Sequence, residues 1–125
     1  MDQIADLLIR IKNASLVGKR EVIITFSKMN KAILDILKES KFLTSVEVVQ
    51  EENRQFLKVV ISDSKTPTHF KQISKPGRRV YAKNQEIPKP LRGLGTVIIS
   101  TSTGITTGKE AFKKGLGGEL ICEVW

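Results

Sequence analysis

G-L-G-T-V-I-I-S-T-S-T-G-I-T-T-G-K-E-A-F-K-K-G-L-G-G-E-L-I-C-E-V-W, from Gly93 to Trp125, reads as strand, polar turn, short helix, glycine turn, strand. Val97, Ile98 and Ile99 are a β-branched run flanked by Thr96 and Thr101, which suits a strand with at least one buried face. The run gives way at Ser100-Thr101-Ser102-Thr103-Gly104, predicted as a polar loop. Thr107 and Glu110 stand at capping-box spacing, so a helix should begin near Gly108. Gly115 supplies its stop and Gly117-Gly118 a turn. Leu120, Ile121, Cys122, Val124 and Trp125 then read as a strand, which holds only if it is tied into a sheet.

The row of small hydroxyls at Ser100, Thr101, Ser102 and Thr103, ending on Gly104, can donate to or accept from a phosphate, a ribose or a base edge. Read alone, it is more readily an ordinary Ser/Thr/Gly turn, because these residues favour loops for local hydrogen-bonding reasons. What lies just upstream separates the two readings. Lys71, Lys75, Arg78, Arg79, Lys83, Lys89 and Arg92 share one segment with a single acid, Glu86. The whole chain carries a net charge of +8, an excess that favours polyanionic partners. Scattered lysines usually mean a solvated surface. Here the basic cluster runs straight into the hydroxyl row, which points to one shared binding face.

Further upstream the pattern changes to helices alternating with strands. Ile4, Leu7, Leu8, Ile11 and Ala14 recur at helical spacing, predicting an amphipathic helix from about Gln3 to Ser15, with Asp2 complementing its N-terminus. Gly18-Lys19-Arg20 turns the chain into a strand from Glu21 to Phe26. Ser27 is a good N-cap for a second helix, in which Met29, Ala32, Ile33, Ile36 and Leu37 repeat to about Ser40. Phe42-Leu43 closes it, and strands at Val46 to Val49 and Phe56 to Ile61 follow, joined by Glu51-Glu52-Asn53-Arg54. The prediction is α+β in two small units: α-β-α-β-β over 1–64, and a mostly β unit with one short helix over 69–125. The linker falls at about 63–68, where Pro67 and polar residues break the pattern. Within the second unit, Lys75-Pro76-Gly77-Arg78 suits a type II turn, and Asn84 to Leu91 a loop.

Several chemistries find no footing. Gly93-Leu94-Gly95 lacks the third glycine of a dinucleotide fingerprint and precedes a strand where it should follow one. Gly104 to Lys109 is one residue short of a phosphate loop, with Glu110 where a magnesium-binding hydroxyl belongs. Cys122 sits in an apolar strand and His69 has no third group to orient it, so this pair makes a poor nucleophile and base. One cysteine and one histidine give little basis for a metal site or a disulfide. Neither a metal, a cofactor nor catalysis is expected. No apolar run approaches ~20 residues and no leader is evident, so the expectation is a cytoplasmic protein without a membrane partner.

Four stretches together resemble the S-eight family of small-subunit ribosomal proteins, in its bacterial or plastid form. They are I-A-D-L-L-I-R-I-K-N-A from Ile4, I-S-K-P-G-R-R-V-Y from Ile73, G-L-G-T-V-I-I-S-T-S-T-G-I from Gly93, and E-A-F-K-K-G-L-G-G-E-L-I-C-E-V-W from Glu110. They span the chain in family order. One departure is Thr106, where the bacterial pattern usually has Met; it removes an apolar contact and leaves the hydroxyl row intact.

The resemblance implies two small domains that bind the central domain of 16S ribosomal RNA during assembly of the small subunit, beside neighbouring ribosomal proteins. In some members it also implies repression through a messenger RNA of the protein's own operon. The place implied is the ribosome, in the cytoplasm or in a plastid stroma, with the free protein a monomer. Ser100, Thr101, Ser102, Thr103 and Gly104, with Glu119 as an acceptor, would meet bases and riboses where an RNA helix is distorted. Lys75, Arg78, Arg79 and Lys83 would hold phosphates. Tyr81 reads equally as a base-stacking group and as an aromatic packed on its sheet. Arg10, Asn13, Lys28 and Lys31 are secondary RNA contacts or simply a solvated helix surface.

Overall fold

The computed structural model describes residues 3–62, 69–88 and 95–125. The expected linker at 63–68, Asp2, Lys89, Arg92 and the Gly93-Leu94 pair lie outside the described residues. The chain divides into two compact units, Gln3–Thr68 and His69–Trp125.

In the first unit, α1 (Gln3–Leu16) and α2 (Lys28–Glu39) each turn their periodic apolar positions inward. Ser27 caps α2 through its hydroxyl, which accepts from Asn30 N at 3.0 Å. Strands β1 (Glu21–Thr25), β2 (Leu43–Glu51) and β3 (Arg54–Ile61) form an antiparallel sheet in the order β1-β3-β2. Ile24 stands opposite Leu57, and Val22 opposite Val59, so one face of this sheet is apolar and is covered by the helices. Leu7, Ile11, Ile33, Leu34 and Leu57 are wholly buried, each contributing about 1.5–3 kcal/mol relative to exposure. The class is α+β, with the helix-strand order expected for this part.

The three α-helices among the described residues stop in the same way. After α1, Lys19 N donates to Ala14 O and Gly18 N to Ser15 O; after α2, Phe42 N donates to Leu37 O and Lys41 N to Lys38 O. After α3 (Gly108–Lys113), Leu116 N donates to Ala111 O and Gly115 N to Phe112 O. This is the Schellman arrangement, whose turning residue must take a positive φ. Gly18 and Gly115 take it at no steric cost, at φ 72° and 71°. At α2 the turning residue is Lys41, at φ 71°, so a side chain sits where glycine is favoured.

The second unit is a five-stranded antiparallel sheet. It contains β4 (Phe70–Gln72), β5 (Tyr81–Ala82), β6 (Thr96–Thr101), β7 (Gly104–Thr107) and β8 (Gly118–Val124). The order is β4-β8-β6-β7, and β5 also pairs with β8, along the same edge as β4 but further back in β8. Val97, Ile99, Leu120, Ala111 and Ile87 form a core between the sheet and α3. Between Ile98 and Ile99 the register on β8 slips by one residue, from Cys122 to Leu120. The extra residue, Ile121, has no partner on β6; Leu120, Ile121 and Cys122 are buried in a row, as are Val97, Ile98 and Ile99 on β6, so both faces of the sheet are covered here. His69 and Trp125 close the far end through paired backbone bonds of 2.8 and 3.1 Å and a ring stack at 3.8 Å.

Three expectations need correction here. The predicted polar loop after Ile99 is a hairpin: Ser100 and Thr101 belong to β6, and Gly104 opens β7, so only Ser102 and Thr103 turn. Ile105, Thr106 and Thr107 are β-branched and keep the chain extended up to the helix cap. At Lys75–Arg78 the turn is not type II, because Gly77 is not among the residues with positive φ. Pro76 suits the first turn position of type I equally well, so the pair Pro-Gly does not decide between the two. Asn84–Glu86, predicted as loop, forms a short 3-10 helix.

Candidate nucleic-acid interface

Directly opposed residues of adjacent strands share a face of the sheet. Tyr81 on β5 is opposite Glu119 on β8, and Glu119 is opposite Ser100 on β6. These three therefore make one row across the sheet. Ser100 follows Ile99, which points into the α3 core, so the row lies on the face turned away from α3. Tyr81 is 70% exposed, so it is not an aromatic packed down on the sheet.

The row depends on backbones that lie unusually close. A Cβ on Gly118 would run into the Ser100 carbonyl oxygen, and one on Gly117 would lie 2.5 Å from the Ala82 carbonyl oxygen. Gly117 and Gly118 are thus required by close approach rather than by turn geometry. They let β8 slide between β5 and β6.

The hydroxyls of the hairpin divide into two kinds. Thr101 Oγ1 donates to Gly104 O at 2.8 Å, accepts from Thr103 N at 3.2 Å, and lies 3.1 Å from Thr103 Oγ1. Thr101 and Thr103 are consumed in holding the turn. Ser100 and Ser102 make no side-chain hydrogen bond among the described residues, and Ser102 is exposed. Gly104, at φ 124°, completes the turn in a conformation that side chains rarely adopt.

Lys75 and Arg78 are exposed at the two ends of a tight turn closed by reciprocal bonds, Lys75 N to Arg78 O at 3.0 Å and Arg78 N to Lys75 O at 2.9 Å. Beneath it sits Ser74, only 1% exposed. Its hydroxyl accepts from Val80 N at 2.9 Å and lies 3.2 Å from Val80 O, pinning both legs of the turn together. The sequence marks Ser74 only as a flank of the basic turn; a serine between an isoleucine and a lysine carries no signal of this clamp. Arg79 is drawn back onto the sheet, where its guanidinium donates to Glu119 Oε2 at 3.1 Å. Lys83 is exposed just beyond β5, and its backbone N–H donates to Glu86 Oε1.

On the first unit, Arg10 and Asn13 line an open groove with Val17, Lys19 and Ile23. Arg10 is already paired with Asp6 at 3.1 Å. Lys28 and Lys31 stand on α2, where Lys31 pairs with Asp35 at 2.7 Å. The four residues thus split between α1 and α2.

Cys122 is fully buried, and burial, with a smaller push from Glu123, drives its thiol up to about 12. A protonated, enclosed thiol is no nucleophile. Among the described residues no cluster of three metal-ligating side chains occurs, and no helix is long and apolar enough to cross a membrane.

The model of the family described as Ribosomal protein S8 matches residues 2–125. The chain is similar to the small ribosomal subunit protein uS8 of Caldanaerobacter subterraneus subsp. tengcongensis, at 49% identity over 99% of this chain and 97% of the relative. It is likewise similar to the uS8 of Staphylococcus aureus strain JH9, at 45% identity over the same shares. The class is that of structural proteins of the small ribosomal subunit, which are not enzymes. Within it, this chain belongs to the ribosomal protein S8 family. Its partners are accordingly ribosomal RNA and other ribosomal proteins, and its place is the ribosome.

Proposed function

We propose that this chain is a primary binder of the central domain of 16S ribosomal RNA, needed for small-subunit assembly, and that it reads a distorted RNA helix with the second unit. The observation that carries this reading is the row Tyr81–Glu119–Ser100, set on one sheet face beside the exposed Ser102. Regular A-form RNA hides its base edges, so a protein face of this kind finds partners only where bases are splayed or unpaired. Tyr81 offers a ring for stacking, Ser100 and Ser102 offer unspent hydroxyls, and Glu119 an acceptor. Tyr81 and Ser100 are separated by two strand spacings, about 10 Å, so they meet different nucleotides. Thr101, Thr103 and Gly104 hold the hairpin that presents Ser102. Lys75, Arg78 and Lys83 take phosphates and set register; Arg79 shares its charge between Glu119 and the RNA.

Arg10, Asn13, Lys28 and Lys31 give the first unit a weaker, phosphate-level contact. The free protein is a monomer in this reading. A messenger RNA of its own operon folded into the same distorted helix would occupy the same row. Chemical footprinting of 16S RNA with the purified protein tests the proposal: protection confined to a central-domain helix with unpaired bases supports it, and protection spread over regular duplex overturns it. Competition by the operon messenger for that footprint measures the regulatory role.

A further inference from the structure

Asn84 lies outside every residue group assigned above, yet its side chain makes three long-range bonds to backbone carbonyls. Its Nδ2 reaches Ala111 O, Phe112 O and Leu116 O, each at 3.2 Å. Ala111 and Phe112 supply the carbonyls that already close α3, receiving Leu116 N and Gly115 N. A carbonyl oxygen has two lone pairs, so a second donor is accommodated without displacing the first. An amide nitrogen carries two hydrogens, and three acceptors around it share them. The asparagine is thus plugged into the end of α3 from a segment 27 to 32 residues away.

What Asn84 fixes is the seam through which the recognition row is built. It follows Lys83 and begins the short helix after β5, and its backbone nitrogen lies 3.1 Å from where a Cβ of Gly117 would stand. On one side of this contact is β5, with Tyr81; on the other is Gly118, next to Glu119. β5 has only two residues, Tyr81 and Ala82, too few ladder bonds to hold themselves in register. Just before β5, Val80 is held by Leu120 N and the Ser74 clamp; just past it, Asn84 is the side-chain anchor that holds the other end.

We propose that Asn84 is a positioning residue for RNA recognition: by anchoring the β5 segment to the end of α3, it sets Tyr81 opposite Glu119 and Lys83 beside them, without touching RNA itself. The inference rests on the RNA-reading role proposed for that row. Its ligand is the same central-domain RNA, and its effect is on discrimination rather than on charge.

The test uses the full chain with two substitutions and two RNAs. Asn84→Ala removes the three bonds; Asn84→Asp keeps the size but turns a donor into an acceptor facing three carbonyls. Each is titrated against a central-domain 16S fragment and against an unrelated RNA duplex over a range of salt, well below the thermal midpoint of each variant. We expect affinity for the specific fragment to fall ~10-fold in Asn84→Ala and further in Asn84→Asp, with duplex affinity and salt slope unchanged, as suits a lost orientation rather than a lost cation. Asn84→Gln, which retains the donor on a longer stem, should recover part of the loss. A purely structural asparagine would lower the thermal midpoint and leave the ratio of specific to duplex affinity as it is in the unsubstituted protein; that result overturns the inference. Should the alanine and aspartate variants fail to fold, exchange protection of the Ala82 and Leu120 amides in Asn84→Gln decides, since unchanged protection beside reduced discrimination contradicts the anchor. Failure of the unsubstituted protein to prefer the fragment over duplex would instead overturn the RNA-reading role itself.

Discussion

Glu119 holds Arg79 at 3.1 Å across 40 residues of sequence, and the same Glu119 faces Ser100 in the ladder. The acid thereby places a cation beside the row proposed to read RNA. Because Arg79 is half exposed, the pair itself adds only ~0.2–1 kcal/mol to stability. Arg79→Ala should weaken specific and unrelated RNA alike and reduce the salt slope by about 0.9, the loss of one phosphate contact. Glu119→Ala should leave duplex binding intact while lowering affinity for the specific fragment. Parallel salt titrations of both variants check this.

Ser102→Ala and Thr101→Ala should part company. The first removes an unspent hydroxyl, so specific affinity falls by ~1–3 kcal/mol while the thermal midpoint stays put. The second removes the group that closes the hairpin, so stability falls as well. Calorimetry beside RNA titration separates them.

Lys41→Gly should stabilise the protein by ~0.5–1 kcal/mol, because the α2 stop requires a positive φ that lysine adopts at a cost. Urea unfolding measures it; a fall in stability would show that the Lys41 side chain contributes more than its backbone strain removes.

Gly118→Ala should destabilise by ~1–3 kcal/mol or more, since the new methyl group meets the Ser100 carbonyl and must push β6 and β8 apart. Loss of specific RNA binding should accompany it. An alanine protein as stable as the original would mean that the two strands separate freely.

Cys122 gives the fold an alkaline limit. Its thiol has an ordinary value of 9.0 when unfolded and about 12 when folded, so the unfolded chain releases the proton first as pH rises. Stability is unaffected below about 9 and declines between about 9 and about 12, by at most ~1.4 kcal/mol per pH unit. Cys122→Ala should lose this part of the decline, at the cost of a small cavity at neutral pH. Unfolding curves from neutral to alkaline pH test both halves, and thiol reagents should modify the native protein only as fast as it opens.

The first unit is largely legible from sequence, because Ile4, Leu7, Leu8 and Ile11, or Ser27 with the apolar run after it, state their structure locally. Lys41 is illegible for the opposite reason: nothing in a lysine announces a left-handed turn. In the second unit the strand around Ile98 and the helix capped by Thr107 read correctly, whereas β4 and β5 do not. They are three and two residues long and exist only because β8 offers an edge. β7 is lost for a different reason, since Gly104 and two threonines look like more of the turn. The residue types of the Tyr81–Glu119–Ser100 row are visible in the sequence; the pairing of Arg79 with Glu119, the Ser74 clamp and the Asn84 bonds are not, as each joins groups whose relation is set by the sheet.

β8 is the strand on which β4, β5 and β6 all depend, and it is made after every one of them. Among the described strands of the second unit, only the β6–β7 hairpin can form from neighbours alone during synthesis, while β4 and β5 wait as unpaired chain. The first unit, whose strands are complete by Ile61, can fold while the rest is still emerging. A nascent chain therefore lacks the Tyr81–Glu119–Ser100 row until the seven residues of β8 are in place, and the RNA recognition proposed for that row would arrive only with them.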